Sequence, residues 1–262
     1  MFNDMQIYIP SKGRATKQVT LKLIPEPFKK RTFIVVPMDE VEIYERYCGN
    51  EFGGVLGCPA TGIGPTRQFI IDQAQVKYVF QFDDDMYFYR RVADTIKLAK
   101  ATSFEVCEMF TMMRLWLSEG YAHVGLSARQ GNNHVAAPYK DLTRMCNAYA
   151  HDISVIKKHG LRFDRTHFME DFDMTLSLLE LGYPNRVLFQ FCWNQVGSNE
   201  GGGCSTYRTL EGQAQAAHRL RELHGDVVRV VEKTSKPGSG YWKGMKTRTD
   251  VVISWQKALK KG

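Results

Sequence analysis

Three consecutive carboxylates, Asp83, Asp84 and Asp85, follow the apolar run Tyr78, Val79, Phe80 and Phe82 in the stretch "YVFQFDDDMYF". Unpaired charge at the end of a buried strand is costly, and adjacent like charges repel, so this placement needs a counter-charge. Along an extended chain Asp83 and Asp85 point one way and Asp84 the other. Two carboxylates on one side, close to ligand phosphates, form a hard-oxygen site suited to Mg²⁺ or Mn²⁺. An acidic turn capping the next element is the bland alternative, and metal binding is the favoured reading. Glu170, Asp171 and Asp173 form a second acidic cluster in "HFMEDFDM". Acids in a first helical turn are stabilised by the helix dipole, which by itself accounts for that spacing. A catalytic role would need one of them to face the first cluster and take a proton from an acceptor hydroxyl.

Other candidates are weaker. "GIGPTRQ" is a glycine turn entering a helix, whose backbone amides could bind an anion. The seven histidines show no HExxH or comparable ligand spacing. The six cysteines contain no CxxC pair, which argues against a zinc ribbon and for free thiols in a reducing compartment.

These residues must be held by elements that the sequence pattern outlines. Strands are expected at "MQIYIP", "RTFIVVP", "GGVLGCP" and "KYVFQF", alternating with helices, the pattern of an α/β sheet covered on both faces. A helix is expected through Leu21 to Ile24, stopped by Pro25 and Pro27, and others over "MDEVEIYERYC" and "TGIGPTRQFIIDQA". Thr102 and Glu105 fit a capping box opening a helix that runs to about Glu119. "YAHVGLS" reads as a strand, "ARQGNNHVAAPYKD" as a polar loop, and "NAYAHDISVIKKHG" as strand passing into helix. "MEDFDMTLSLLELGYP" reads as a helix, "NRVLFQFCWNQ" as a strand, "GSNEGGGCSTYRT" as a loop, and 210–224 as a last helix. In an open sheet of this kind ligands bind beyond the carboxyl ends of the strands, where the three aspartates stand.

The 262-residue chain can hold one large domain, and 44% hydrophobic with 24% charged residues is an ordinary soluble composition. No signal peptide and no run of the ~20 apolar residues needed for a membrane helix is visible, so a cytoplasmic location is expected. The net charge is +7, and its excess lies in one place: 219–262 carries 11 Lys and Arg against 4 Asp and Glu, whereas 1–218 is balanced at 24 each. We expect a domain over 1–218 and a basic extension over 219–262, packed on it or following it. Basic residues interleaved with aromatics suit a polyanion with stackable bases, which makes Lys236, Tyr241, Trp242, Lys243, Lys246 and Arg248 candidate nucleic-acid contacts. A solubilising tail is the competing account.

Taken together the order is strand, "PSKGR", two strands, "GxGxxRQ" leading a helix, an apolar strand into "DDD", then "ED" opening a later helix. It resembles the nucleotide-sugar glycosyltransferases of the GT-A fold, whose DXD motif corresponds to "DDD" here. "IYIPSKGRA", "GIGPTRQFIIDQA" and "FQFDDDMYFYRR" are similar to the TET-associated glycosyltransferases, found with base-oxidising enzymes and in bacteriophages. The resemblance implies a mostly parallel sheet with helices on both faces and a nucleotide-sugar site at its strand ends. It implies a UDP-sugar donor, and as acceptor DNA bearing hydroxymethylated pyrimidines in a cytoplasm, the host's if the gene is a phage's. Residue by residue, it puts Asp83 near the ribose and Asp85 on the metal that bridges the diphosphate, with Asp84 supporting. Pro10, Ser11 and Arg14 of the first loop lie toward the nucleotide, and Arg67 near the nucleotide or diphosphate. Of the "ED" pair, Glu170 and Asp171, it points to Asp171 as general base in an inverting enzyme. It leaves open whether His218, His224 or neither completes the metal site.

The residues alone leave three alternatives: the same enzyme with a glycan, lipid or protein acceptor, a metal-dependent nuclease or phosphoesterase, and an inactive DNA-binding module. In a nuclease "PSKGR" and "GIGPTRQ" would have no task, and in an inactive module the three aspartates would have none.

Overall fold

The computed structural model describes residues 2–195, 209–234 and 247–259. Strand β1 (Met5–Pro10) is followed by β2 (Thr32–Pro37), β3 (Gly54–Cys58), β4 (Tyr78–Phe82), β5 (Met86–Arg91) and β6 (Leu98–Lys100). Next come β7 (His123–Ala128), β8 (Tyr139–Asp141), β9 (Ala148–Asp152) and β10 (Asn185–Gln195), and a hairpin of β11 (Val228–Thr234) and β12 (Thr247–Ile253). The helices are α1 (Glu26–Lys29), α2 (Val41–Cys48), α3 (Ile63–Gln73), α4 (Ser103–Ser118), the kinked turn α5 (Arg129–Asn132), α6 (Ile153–Lys158), α7 (Glu170–Glu180), α8 (Leu210–His224) and α9 (Trp255–Leu259).

Ten strands form one sheet in the order β3-β2-β1-β4-β9-β7-β10-β5-β6, with β8 also paired to β10. The run β3-β2-β1-β4 is parallel throughout, and β7 and β10 are parallel to each other. Strand β9 runs antiparallel between β4 and β7, and β5 antiparallel to β10. Because β1 leads outward to β2 on one side and lies beside β4 on the other, the loops after β1 and β4 diverge. A crevice opens there, at the position where open α/β sheets bind ligands.

Alternation along the strands divides the interior in two. Ile7, Ile9, Phe80 and Phe82 face one side, with Phe28 of α1, Tyr44 of α2 and Phe110 and Met113 of α4. Tyr8, Val35 and Val79 face the other, with Ile70 and Ile71 of α3, Ile156 of α6 and Met174 and Leu178 of α7. This is the expected mixed, mostly parallel sheet with helices on both faces. The capping box expected at Thr102 and Glu105 opens α4.

The structure departs from expectation in two segments. In place of one helix through Leu21–Ile24 there are two 3₁₀ turns, Ala15–Lys17 and Leu21–Leu23. Pro25 and Pro27 then start a helix instead of ending one: Pro25 caps α1 in an extended conformation and Pro27 lies in its first turn, where the missing N–H costs nothing. The expected loop between β7 and β9 contains α5 and β8. The described part of the basic extension is folded. Helix α8 continues through position 218, and α8, β11, β12 and α9 bury Ala216, Ala217, Leu220, Val228, Val251 and Ala258 against Leu176 and Leu179 of α7.

The aspartate turn has a rigid floor. Phe82 and Phe88, on either side of it, meet Phe110 at ring-centroid distances of 5.4 and 6.3 Å, and Phe80 and Phe28 complete the cluster at 6.1 and 5.1 Å. Removing a fully buried ring leaves a cavity that neighbours fill only in part. Phe110→Ala is expected to lower unfolding free energy by about 3–5 kcal/mol in chemical denaturation. A loss below about 1 kcal/mol would contradict this packing role.

Candidate active site

The cavity at the crevice has a volume of about 820 Å³ and takes lining residues from both halves of the chain. Pro10 ends β1, Ser11 and Arg14 come from the loop after it, and Asp83, Asp84 and Asp85 from the turn after β4. Arg67 comes from α3, Glu170 and Asp171 from the start of α7, and Arg248 from β12. The two histidine candidates aside, every candidate site residue within the described residues is therefore drawn to one place, from Pro10 to Arg248. Lys236, Tyr241, Trp242, Lys243 and Lys246 lie outside the described residues, as does most of the glycine-rich loop that follows β10.

The expected alternation does not hold, because Asp84 and Asp85 stand in a turn and both reach Arg14 Nη1, with Asp83 on the other side; Asp84 is buried. Its carboxylate accepts from the Ser11 hydroxyl and, at 2.7 Å, from Arg14 Nη1. Ser11 Oγ also meets Tyr44 OH at 2.7 Å, and the Arg14 amide donates to that phenol at 2.9 Å. The turn itself is tied down by backbone bonds: the amides of Val19 and Thr20 donate to the Asp84 carbonyl at 3.0 and 3.1 Å. Asp84 thus fastens the first loop to the aspartate turn. Arg14 reaches Asp85 Oδ2 at 3.0 Å as well.

Asp83 is engaged on the other side. Arg67, only 2% exposed, donates through Nη2 to Asp83 Oδ1 and through Nε to Glu170 Oε1, each at 3.0 Å. Its guanidinium lies 4.9 Å from the centre of the Tyr149 ring. Glu170 is itself buried, so its carboxylate acts here as a counter-ion to Arg67, while Asp171 remains partly open to the cavity. Helix α3 can bring Arg67 in because Gly64 lets it approach the loop after α6; a Cβ there would stand 2.8 Å from the Phe163 carbonyl oxygen.

Two non-glycine residues in the left-handed region flank the cavity. Asn147 (φ 64°) accepts from the Asp83 amide at 3.0 Å, and Met169 (φ 65°) is the residue from which α7 starts. Such conformations cost free energy and are held by their surroundings; here they set the backbone that presents Asp83, Glu170 and Asp171.

The electrostatics follow from this crowding. Burial, with the like charges of Asp85 and Asp84, outweighs Arg67 and pushes the Asp83 carboxyl up to about 7. Burial and the Asp84 charge also raise Asp85 against the pull of Arg14. Burial, then the neighbouring Glu170 charge, raises Asp171 to about 6. Four carboxylates, Asp83, Asp84, Asp85 and Glu170, converge here on Arg14 and Arg67, so a bound cation would relieve their repulsion.

Asp85 Oδ1 is buried and has no hydrogen-bond partner among the described residues. That orphaned oxygen, with Asp83 beside it, fits a small divalent cation. Mg²⁺ sites commonly use one or two carboxylates and take their remaining ligands from substrate phosphates and water. No group of three or more His, Cys, Asp or Glu side chains among the described residues forms an all-protein metal cage. Neither His218 nor His224 lines the cavity. His224 is buried between Asp173 Oδ1 at 2.8 Å and Glu180 Oε2 at 2.9 Å. Asp173 in turn binds Arg165, so this third acid of the second cluster is structural.

Several lining residues escaped sequence reasoning. Gln195, at the end of β10, donates to Asp83 Oδ2 at 3.3 Å. Arg144 lies with its guanidinium 4.7 Å from the Phe172 ring, and Trp255 stacks on the same ring at 5.8 Å and 22°. Lys233 meets Asp250 at 3.0 Å, beside the expected Arg248, which meets the same carboxylate at 3.4 Å. The local signal for Gln195 was a polar residue ending an apolar strand that points at the site; Arg144 left no local signal.

The fold is shared with solved structures at low identity. TarS residues 1–349 from S. aureus, in complex with UDP-GlcNAc, superposes with a TM-score of 0.57 at 14% identity over 83% of this chain. Its complex with UDP gives 0.51 at 15% over the same share. A mycobacterial protein gives 0.52 at 10% identity over 98% of this chain and 88% of its own. This chain spans 66% and 65% of the length of the two TarS chains. No curated protein matches the chain in sequence. No helix among the described residues is long and apolar enough to cross a membrane. The sequence model of the TET-associated glycosyltransferases matches residues 5–203, and the chain belongs to that family of glycosyltransferases.

Proposed function

We propose that this glycosyltransferase moves a sugar from a UDP-sugar, with Mn²⁺ or Mg²⁺, to the hydroxymethyl group of a modified pyrimidine in DNA. One observation carries the reading: the aspartate turn and the acid pair of α7, far apart in sequence, line a single cavity at the switch point of the sheet. The UDP and UDP-GlcNAc complexes of TarS, which shares the fold, support the choice of donor. The family's association with base-oxidising enzymes supports the choice of acceptor.

In this reading the loop Pro10–Arg14 and the turn Asp83–Asp85 hold the nucleotide and diphosphate, and Asp85 with Asp83 holds the cation. When bound, the cation supplies Lewis-acid stabilisation of the departing diphosphate. Asp171 accepts the proton of the attacking hydroxyl as its oxygen bonds to the anomeric carbon. The bond from that carbon to the diphosphate breaks as the new one forms, and the electron pair leaves with the diphosphate. Arg67 and Glu170 fix the distance between the two carboxylate sets and touch neither reacting atom.

The test is a set of reactions of the purified protein with Mn²⁺, a panel of nucleotide sugars and DNA containing 5-hydroxymethylcytosine or 5-hydroxymethyluracil. After digestion to nucleosides, mass spectrometry is expected to find a sugar-sized gain on the modified nucleoside. Release of nucleoside diphosphate with no gain on any nucleoside would overturn the DNA acceptor.

Two variants test the roles. Asp85→Asn is expected to lower transfer by about a hundredfold or more with the fold intact, since a Lewis acid supplies several kcal/mol and each ~1.4 kcal/mol is tenfold. Near-wild-type transfer would refute the metal assignment. Asp171→Asn is expected to lower kcat by about 10²–10⁴ and leave donor affinity in place. Asp171 acts only when ionised, and its carboxyl is raised to about 6, so wild-type kcat/KM is expected to rise as pH climbs through about 6 and then level. A profile flat from pH 5 to 8 would remove Asp171 as the base.

A further inference from the structure

One part of the cavity wall has a different character. It is built from Phe172, next to Asp171, from Trp255 at the start of α9, and from Arg144 of the loop before β9. Phe172 is in contact with both of the others: the Trp255 ring stacks on it at 5.8 Å and 22°, and the Arg144 guanidinium lies 4.7 Å from its centre. Phe172 and Trp255 are half-buried and Arg144 is exposed, so the three offer flat surface to the cavity. Stacked aromatic rings beside a guanidinium plane are the chemistry that binds a nucleobase by its face.

Trp255 borders a second space as well. A more open cavity of about 510 Å³ lies beyond it, lined by Lys140, Leu142, Ser254, Trp255, Gln256 and Lys257. Lys140 and Lys257 are exposed, and the Lys257 ammonium also meets Asp226 at 2.5 Å. Trp255 therefore borders both the inner cavity that contains Asp171 and an outer groove that carries Lys140 and the ion-paired Lys257.

We propose that this arrangement presents the acceptor base, a proposal that rests on the DNA reading above. The outer groove carries the phosphates flanking the modified nucleotide. That nucleotide leaves the stack, passes Trp255 and rests on the Trp255–Phe172–Arg144 surface, with its C5-hydroxymethyl oxygen toward Asp171. A cavity of about 820 Å³ is of small-molecule size, since such sites span about 300–1,000 Å³, and a duplex cannot enter it. An enzyme whose base lies in the wall of such a cavity must take the nucleotide out of the helix. Stacking tolerates either pyrimidine, so this surface supplies affinity and orientation, not a choice between cytosine and uracil derivatives.

The experiment uses the full chain and a duplex with one 5-hydroxymethylpyrimidine beside a 2-aminopurine, whose fluorescence rises when its neighbour unstacks. Wild-type protein is expected to raise the fluorescence and to glycosylate the duplex. Trp255→Ala is expected to abolish the fluorescence rise and to increase KM for the duplex roughly tenfold or more. Trp255→Phe, which keeps a ring in place, is expected to restore most of both, and it separates stacking from a folding defect. Lys140→Glu, a surface change, is expected to raise KM for the duplex and to reduce the salt dependence of binding. Transfer to DNA that Trp255→Ala does not impair, or that proceeds with no fluorescence change, would overturn this proposal and leave the DNA acceptor standing. Wild-type protein that binds UDP but neither binds nor glycosylates the duplex would overturn both.

Discussion

One buried guanidinium holds the site together. Arg67 joins the carboxylate at the end of β4 to the first residue of α7, partners that stand 16 and 103 positions away from it in the chain. Inside a protein such a bridge contributes little net stability, because desolvating three charged groups offsets their attraction. Its effect is on geometry. With Asp83 and Glu170 fixed to one planar group, Asp171 follows, because it is the next residue on the same helical turn. The distance between the donor side and the candidate base is therefore set by a rigid fork of N–H donors, independent of loop conformation. The supports around it serve the same end: Gly64 admits the helix, Tyr149 backs the guanidinium, and Asn147 and Met169 hold unfavourable backbone angles on either side.

The same arrangement leaves more negative charge in the cavity than the two arginines compensate. Asp84 is satisfied by Ser11 and Arg14, and Asp83 by Arg67, but Asp85 keeps a buried oxygen with no partner among the described residues. The carboxyls of Asp83, Asp85 and Asp171 are each raised first by burial, with neighbouring like charges adding to it, so a bound cation would favour their ionised forms. A divalent cation carried with a diphosphate would do so and bring its own further ligands. The C-terminal segment matters here because α8, α9 and the hairpin pack on α7 and close the cavity with an aromatic and cationic wall. The cavity thus combines a cluster of acids with a stacking surface that adjoins Asp171.

Much of this was legible from local signals. Strands β1 to β4 alternate in hydrophobicity over short runs bounded by turns, the capping box of α4 is written in two residues, and the three aspartates announce themselves by where the apolar run stops. Strand β5 was not read, because "MYFYRR" follows the aspartates with no turn signal and ends in two arginines. The hairpin was not read either: "VRVVEKT" and "TRTDVVI" do alternate, but the basic residues on the exposed face drew attention to charge. Proline position misled at residues 25–27, since the same residue ends one helix and begins another. The site's second layer was out of reach for a different reason. The dipole of α7 accounts for Glu170 and Asp171 equally well whether or not Arg67 is near. That Arg67 reaches them is a property of the packed sheet and not of any local stretch.

The central claim is that the cavity's unbalanced carboxylates are completed by a cation and a nucleoside diphosphate together. Calorimetric titration of the protein with UDP, with and without Mn²⁺, and with Mn²⁺, with and without UDP, tests it most directly. The account predicts that Mn²⁺ tightens UDP binding about tenfold or more and that UDP tightens Mn²⁺ binding by the same factor, as linkage requires. UDP binding of equal strength in the presence of Mn²⁺ and of a chelator would contradict it.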